Sequence, residues 1–301
     1  MQTFEINSSG KIIEKDISRK ELIDEFGVHT RDLRPVFSLK QVATLSPRGK
    51  GIVVNFRSAK MIIGAQKVYV FNLQSKKIAE KFVPELIEKI KSSSKYRFEF
   101  IVIEVAFSFI LQRIELHSEK IQSLAQNTLK KLKTELRDEN LEKLLAVKKQ
   151  ILALQTTIRE IDELASDILD DDDELADLYL SKGKISNTDE IESILENSLE
   201  QIENHAHRID ELNENIDDTQ EILTLKMAQK RNMIIKFDLL ISSLTAVLAI
   251  LAVVVGLYGM NIPNQLEKDS GAFFTIFLSL GVIFVVFSLA MFFYLKRKKV
   301  I

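Results

Sequence analysis

The sequence predicts an α+β chain. An N-terminal α/β domain is followed by long antiparallel and stalk helices, and two transmembrane helices close the C-terminal end. Three observations predict this class. Apolar and charged residues are segregated, because the chain is 46% hydrophobic and still 28% charged. Ten Gly and four Pro in 301 residues leave room for long unbroken helices. Two charge-free runs, 19 residues at 239–257 and 24 residues at 272–295, each match the ~20 residues that cross a ~30 Å hydrocarbon core.

The elements follow in order. Residues 1–95 read as the inner α/β domain. Segments 3–6 and 11–14 flank Ser8-Ser9-Gly10 as a hairpin, and 51–56, 60–63 and 67–71 are β-rich runs separated by turns. Residues 81–92 are helical. Residues 96–187 form a helical inner domain, with two antiparallel helices over 96–168 and a boundary near 136–141. An acidic cluster follows, and a short helix over 174–180. Asn187 or Thr188 caps the next helix start. From 188 to 258 a stalk helix continues into the first membrane span, since no Pro occurs there and no Gly before Gly256. Ile191, Ile194, Leu195, Leu199, Ile202, Ile209, Leu212, Ile216, Ile222 and Leu223 recur along it as a coiled-coil stripe. Residues 259–271 are an outer loop, 272–295 the second span and 296–301 a basic inner tail.

Composition excludes several functions. The formal net charge of −2 gives no basic field for nucleic acid, and none is expected as a partner. The chain has no Cys and four His, which removes disulfides and thiolate metal sites. No nucleophile–base constellation supports an enzyme, and no organic cofactor is implied. Pro47-Arg48-Gly49-Lys50-Gly51 lacks the full phosphate-loop pattern and reads as a turn. His205 and His207 lie on different helix faces. The first 22 residues carry acids and no apolar core, as expected of neither a signal peptide nor a transit peptide.

Lys226, Lys230, Arg231 and Lys236 precede the first span, and Lys296, Arg297, Lys298 and Lys299 follow the second. The loop carries only Lys268, beside Glu267 and Asp269. By the positive-inside rule both termini lie inside and the loop faces out.

One face of the first span holds no large apolar residue. Asp238, Ser242, Thr245, Ala249, Ala252, Gly256 and Gly259 follow one another in steps of four and three. Small residues in lipid allow close helix approach, so a tight contact with the second span or with a second copy is one reading. The other is a pore face shared by several copies. Asp238 on the same seam favours a water-filled axis, because an ionisable group at a membrane edge is costly unless it meets water or a partner. The second span carries Phe on all sides, as suits an outer, lipid-facing helix.

Asp170, Asp171, Asp172, Asp173 and Glu174 concentrate five carboxylates. They are a solvated turn whose acids favour a helix N-terminus, or a site for a hard divalent cation such as Mg²⁺ or Ca²⁺.

Gly259-Met260-Asn261 after a small-residue helix, then a short acidic loop and a second span with a basic end, resembles the CorA superfamily of magnesium channels. Arg31-Asp32-Leu33-Arg34, Phe98-Glu99-Phe100 with Glu104, the run 169–180 and Lys230-Arg231-Asn232 resemble its eukaryotic branch, named for mitochondrial RNA splicing. The resemblance implies a homopentameric funnel in a lipid bilayer that passes Mg²⁺ passively inward. It implies a selectivity filter of Gly259, Met260 and Asn261, with Glu267 and Asp269 attracting cations outside. Arg231 would form a ring at the inner end of a pore lined by Asp238, Ser242, Thr245, Ala249, Ala252 and Gly256. Regulatory Mg²⁺ would bind near Glu104, Asp167, Asp170, Asp171, Asp172, Asp173 and Glu174, whereas Ala228 stands where some relatives carry an acid close to the gate. The implied location is the inner membrane of a mitochondrion or related organelle, with another cell membrane as the alternative. A transporter of Zn²⁺ or other cations in the same superfamily, and a membrane-anchored coiled-coil tether without transport, are the competing functions.

Overall fold

The structure is a computed structural model that describes residues 2–38, 42–71, 78–92, 96–134, 138–181, 188–260 and 271–297. Its contacts divide the chain into two compact units, Met1–Asp218 and Thr219–Ile301.

The first unit begins with six strands: β1 (Gln2–Asn7), β2 (Ile12–Asp16), β3 (Thr44–Arg48), β4 (Gly51–Asn55), β5 (Lys60–Ile63) and β6 (Lys67–Phe71). They form one sheet in the order β2-β1-β6-β5-β4-β3, with every neighbouring pair antiparallel. The sheet covers the five runs read from the sequence and adds β3. Pro47 hid β3, because proline cannot donate to a ladder, and it is tolerated here since β3 is an edge strand. Strands β4 and β5 are buried at every position, so both faces of the sheet are covered.

Helix α1 (Arg19–Phe26) covers one face together with α2 (Arg34–Phe37). A capping box starts α1: Ser18 N donates to Glu21 Oε2 at 2.7 Å, and Glu21 N donates to Ser18 Oγ at 3.2 Å. These bonds hold the Glu21 carboxyl below its usual range. Leu22, Phe26, Val28, Leu33 and Val36 pack on Val53, Ile62, Tyr69 and Phe71. The glycines of the 47–51 stretch serve this packing. A Cβ on Gly49, whose φ is +61°, would lie 2.4 Å from the Phe26 carbonyl oxygen, and one on Gly51 would lie 2.7 Å from the Phe26 ring.

A π turn (Ile78–Phe82) leads into α3 (Val83–Ser92), and α4 (Phe98–Thr134) and α5 (Asp138–Leu169) follow and pack together. Phe56 after β4 meets Phe107 of α4 with centroids 4.9 Å apart. Buried residues of α5 recur in alternating steps of four and three from Asn140 to Ile168, the 3.5-residue period of a coiled-coil seam. Helix α6 (Asp172–Asp177) starts earlier than position 174 because Asp171 caps it.

Helix α7 (Asp189–Tyr258) is continuous over 70 residues, as the absence of Pro permits. In the first unit it buries Ile191, Leu195, Ile202, Ile209 and Ile216 completely. Lys148 pairs with Asp217, and Gln155 donates to Asp210 at 2.7 Å. Seven residues forward on α5 match seven back on α7, so the two helices run antiparallel in register.

The segment after α6 is pinned to the start of α4. Glu99 is fully buried, and its carboxylate accepts from Ser181 N at 2.9 Å and Ser181 Oγ at 2.8 Å. Arg97 donates to the Ser181 carbonyl at 2.9 Å and stacks over Tyr179, whose ring also meets Phe100 edge-on. A buried carboxylate survives only when donors replace its water. Glu99→Ala should destabilise the full-length protein by about 3 kcal/mol, the worth of charge-assisted bonds plus an orphaned backbone donor. Denaturant unfolding followed by Tyr absorbance measures this, and an unchanged midpoint would show that the clamp carries no stability.

Candidate functional site

The second unit consists of the later part of α7 and helix α8 (Ala272–Arg297). Both are long and apolar enough to cross a membrane. Between 231 and 258, the positions of α7 that are not fully exposed are Lys236, Leu240, Ser243, Val247, Leu251 and Val254. On α8 they are Ala272, Ile276, Leu280, Phe284, Ser288 and Met291. Each set follows helical spacing, and the two are the faces that meet. Leu240, Ser243, Leu244 and Val247 line one crevice together with Ser288, Met291 and Phe292.

The small-residue seam lies elsewhere. Asp238, Ser242, Thr245, Ala249, Ala252, Gly256 and Gly259 are all exposed. Each of Asp238, Ser242, Thr245 and Ala249 stands two positions after a residue of the α8-facing stripe, about 200° around the helix. The structure therefore removes one of the two partners the seam had in the sequence: it does not pack on the second span. A Cβ on Gly256 would meet nothing within 4 Å. The Thr245 hydroxyl donates to the Ile241 carbonyl at 2.9 Å, which leaves its lone pairs outward. Met260 is exposed. Asn261, Glu267 and Asp269 lie outside the described residues. Arg231 is exposed, and no ion pair joins it to Asp238 within one chain.

The carboxylates expected to hold regulatory ions are not brought together within one chain. Among the described residues, no three His, Asp or Glu side chains are grouped to hold a metal ion. Glu104 pairs with Lys89 at 2.9 Å. Asp171 accepts from Asp173 N and Glu174 N at 3.0 and 3.1 Å and caps α6. Asp167, Asp170, Asp172 and Asp173 are exposed, and Glu174 is half-buried. Sequence reading missed the role of Glu99. Its signal is an acid between two phenylalanines, a position that burial makes expensive unless donors wait for it.

A family model described as magnesium transporter MRS2-like matches residues 2–231. The chain belongs to this family. It is a family of transporters and not of enzymes. Among its relatives, Magnesium transporter MRS2-7 of Arabidopsis thaliana is 23% identical, over 91% of this chain and 86% of that protein. The mitochondrial inner membrane magnesium transporter mrs2 of Schizosaccharomyces pombe is 26% identical, over 90% of this chain and 68% of that protein. The fold matches the complete structure of the CorA magnesium transporter from Methanocaldococcus jannaschii with a TM-score of 0.69 at 14% identity, covering 95% of this chain and 96% of that one. Full-length CmaX matches with a TM-score of 0.65 at 13% identity, over 98% and 97%.

In this member of the family, one step of the α5–α7 ladder breaks the pattern of attraction. Asp162 and Glu203 occupy the step after Gln155 and Asp210, and they line a cleft of about 340 Å³ with Arg159, His207 and Asp210. Burial first, and then the Glu203 charge, push the Asp162 carboxyl above its usual range. A raised folded-state pKa means that protonation favours the native state. The stabilisation from protonated Asp162 is complete below the unfolded value of 3.8 and is lost as pH rises through the folded value. Asp162→Asn should therefore raise stability at pH 7.5 by under about 1 kcal/mol given solvent screening, read as a higher thermal midpoint. The gain should disappear by pH 3.5, below the ordinary Asp range of about 3.9. A gain that is equal at both pH values would rule out this charge repulsion.

Proposed function

We propose that the chain is one subunit of a channel that passes hydrated Mg²⁺ passively into the compartment holding both termini. The observation that carries this reading is the free seam of α7. Its small residues face away from α8, and Gly256 has open space where a side chain would stand. Small size there has no use within one chain, but it suits an axis shared by several copies. The resemblance to CorA channels supports five. With α8 behind each α7, such a ring is lined by Asp238, Ser242, Thr245, Ala249, Ala252 and Gly256.

Gly259, Met260 and Asn261 follow at the outer end, where Asn261 supplies a ring of amides. Mg²⁺ gives up its water reluctantly. Amide oxygens accept hydrogen bonds from the hydrated ion and select it without stripping it. Glu267 and Asp269 raise the local cation concentration. An inside-negative potential drives entry by ~2.3 kcal/mol per charge per 100 mV, twice that for a divalent ion. Arg231 sits at the inner end as a positive ring that Asp238 of a neighbouring copy screens. Regulatory divalent ions bind between copies, where the exposed Asp167, Asp170, Asp172 and Asp173 meet partners. The Schizosaccharomyces pombe relative supports a mitochondrial inner membrane.

Two measurements test this. Purified protein in proteoliposomes should conduct Mg²⁺, and Asn261→Ala should abolish that flux. A wild type without divalent flux ends the transport reading, and one that prefers Zn²⁺ over Mg²⁺ moves the chain to the zinc alternative. The chain has no Cys, so single cysteines report cleanly. Ala252→Cys should react with a water-soluble thiol reagent and lose flux, whereas Val247→Cys, on the buried face, should not. The reverse pattern would take the seam out of the pore.

A further inference from the structure

We propose that the crevice between α7 and α8 holds one acyl chain of an anionic phospholipid whose phosphate binds Lys236 and Lys296. The crevice encloses about 160 Å³ between Leu240, Ser243, Val247, Ser288, Met291 and Phe292. The crevice is half open, and its volume is that of a benzene-sized group, so it takes a segment of an acyl chain while the rest lies in the bilayer. It exists because Ser243 and Ser288 are small where the helices face each other. Ser243 donates its hydroxyl to the Leu240 carbonyl at 2.8 Å, and Ser288 Oγ has no partner among the described residues. In a bilayer, space between two spans is filled by lipid tails.

Charge at one end of the crevice selects which lipid enters. Lys236, Leu240, Ser243 and Val247 form one stripe of α7, in steps of four, three and four. Lys236 is half-buried, unlike its exposed neighbours Ile235 and Phe237, and so belongs to the α8-facing side of α7. On α8, Lys296 stands one turn beyond Phe292 on the same face, with Arg297 beside it. Lys236 stands one turn before Leu240 and Lys296 one turn after Phe292, both residues of the crevice, so the two lysines lie at the same end of it. Lysine stems lie along apolar surface while their ammonium groups reach the headgroups. Basic pockets between membrane helices take anionic headgroups in this way. Asp238 does not cancel the charge, because it lies on the opposite face of α7. The occupant is therefore a lipid with a net negative headgroup, from the leaflet at the Lys236 end. The inference needs the two helices to span the membrane but does not depend on which ion is carried.

The test is native mass spectrometry of the full-length protein, purified in detergent with equal phosphatidylglycerol and phosphatidylcholine. Wild type should retain phosphatidylglycerol preferentially. Lys236→Gln and Lys296→Gln should each cut that preference about fivefold, the worth of one lysine at an anionic surface. Ser288→Leu fills the crevice, so it should displace both lipids while raising the thermal midpoint, which separates loss of the site from loss of the fold. Two results would overturn the proposal: an unchanged headgroup preference in the double glutamine variant, or full lipid retention in Ser288→Leu. Full retention together with a changed oligomer mass would assign the crevice to a second copy.

Discussion

Membrane-spanning α7 has two incompatible faces, and α8 can cover only one of them. Lipid offers no hydrophobic drive between helices, so packing depends on the shapes that meet. The stripe Lys236, Leu240, Ser243, Val247, Leu251 and Val254 offers mostly branched and long side chains with one small residue, Ser243, and α8 answers with Ile276, Leu280, Phe284, Ser288 and Met291. The seam from Asp238 to Gly259 offers hydroxyls, methyls and bare backbone, and it stays exposed. The proposed ion path and the lipid crevice both follow from this division. One uses the face α8 leaves free, and the other uses a gap in the face it covers.

In the first unit the corresponding constraint is register. The heptad seams of α5 and α7 fix how far each helix slides along the other, and Lys148–Asp217 and Gln155–Asp210 mark that register at two-turn intervals. Asp162 and Glu203 come next in the series and repel. A ladder that tolerates one unfavourable step is held by its apolar seam, since Ile202 and Ile209 on α7 and Ile158 and Ile161 on α5 are almost wholly buried. Glu99 adds a second anchor. It places a carboxylate where Ser181 can reach it with two donors, and so ties the end of the acidic segment to α4.

Much of this was legible in the residues. Both spans, the unbroken α7, its stripe of isoleucines and the seam itself are periodic, and periodicity is a local property of a helix. Strands β5 and β6 matched their β-branched runs to the residue. What stayed hidden was non-local or lay in exceptions. Strand β3 contains a proline that only an edge position permits. Helix α1 is signalled by Ser18 and Glu21, a pair that is weak without a long apolar run behind it. The run from Asp170 to Glu174 left two readings open, a solvated helix start and a divalent-cation site, because adjacency in sequence does not say which groups each acid meets. In the fold Asp171 caps a helix, Glu104 pairs with Lys89, Asp167, Asp170, Asp172 and Asp173 are exposed, and Glu174 is half-buried.

The sequence by itself determined where the chain enters the membrane and which residues share a helix face, because hydropathy and a 3.5-residue period need no partner to be read. Tertiary structure alone decided which of two faces α8 takes and where a carboxylate finds its donors. Those choices depend on shapes and groups far apart in the chain, and no local pattern records them.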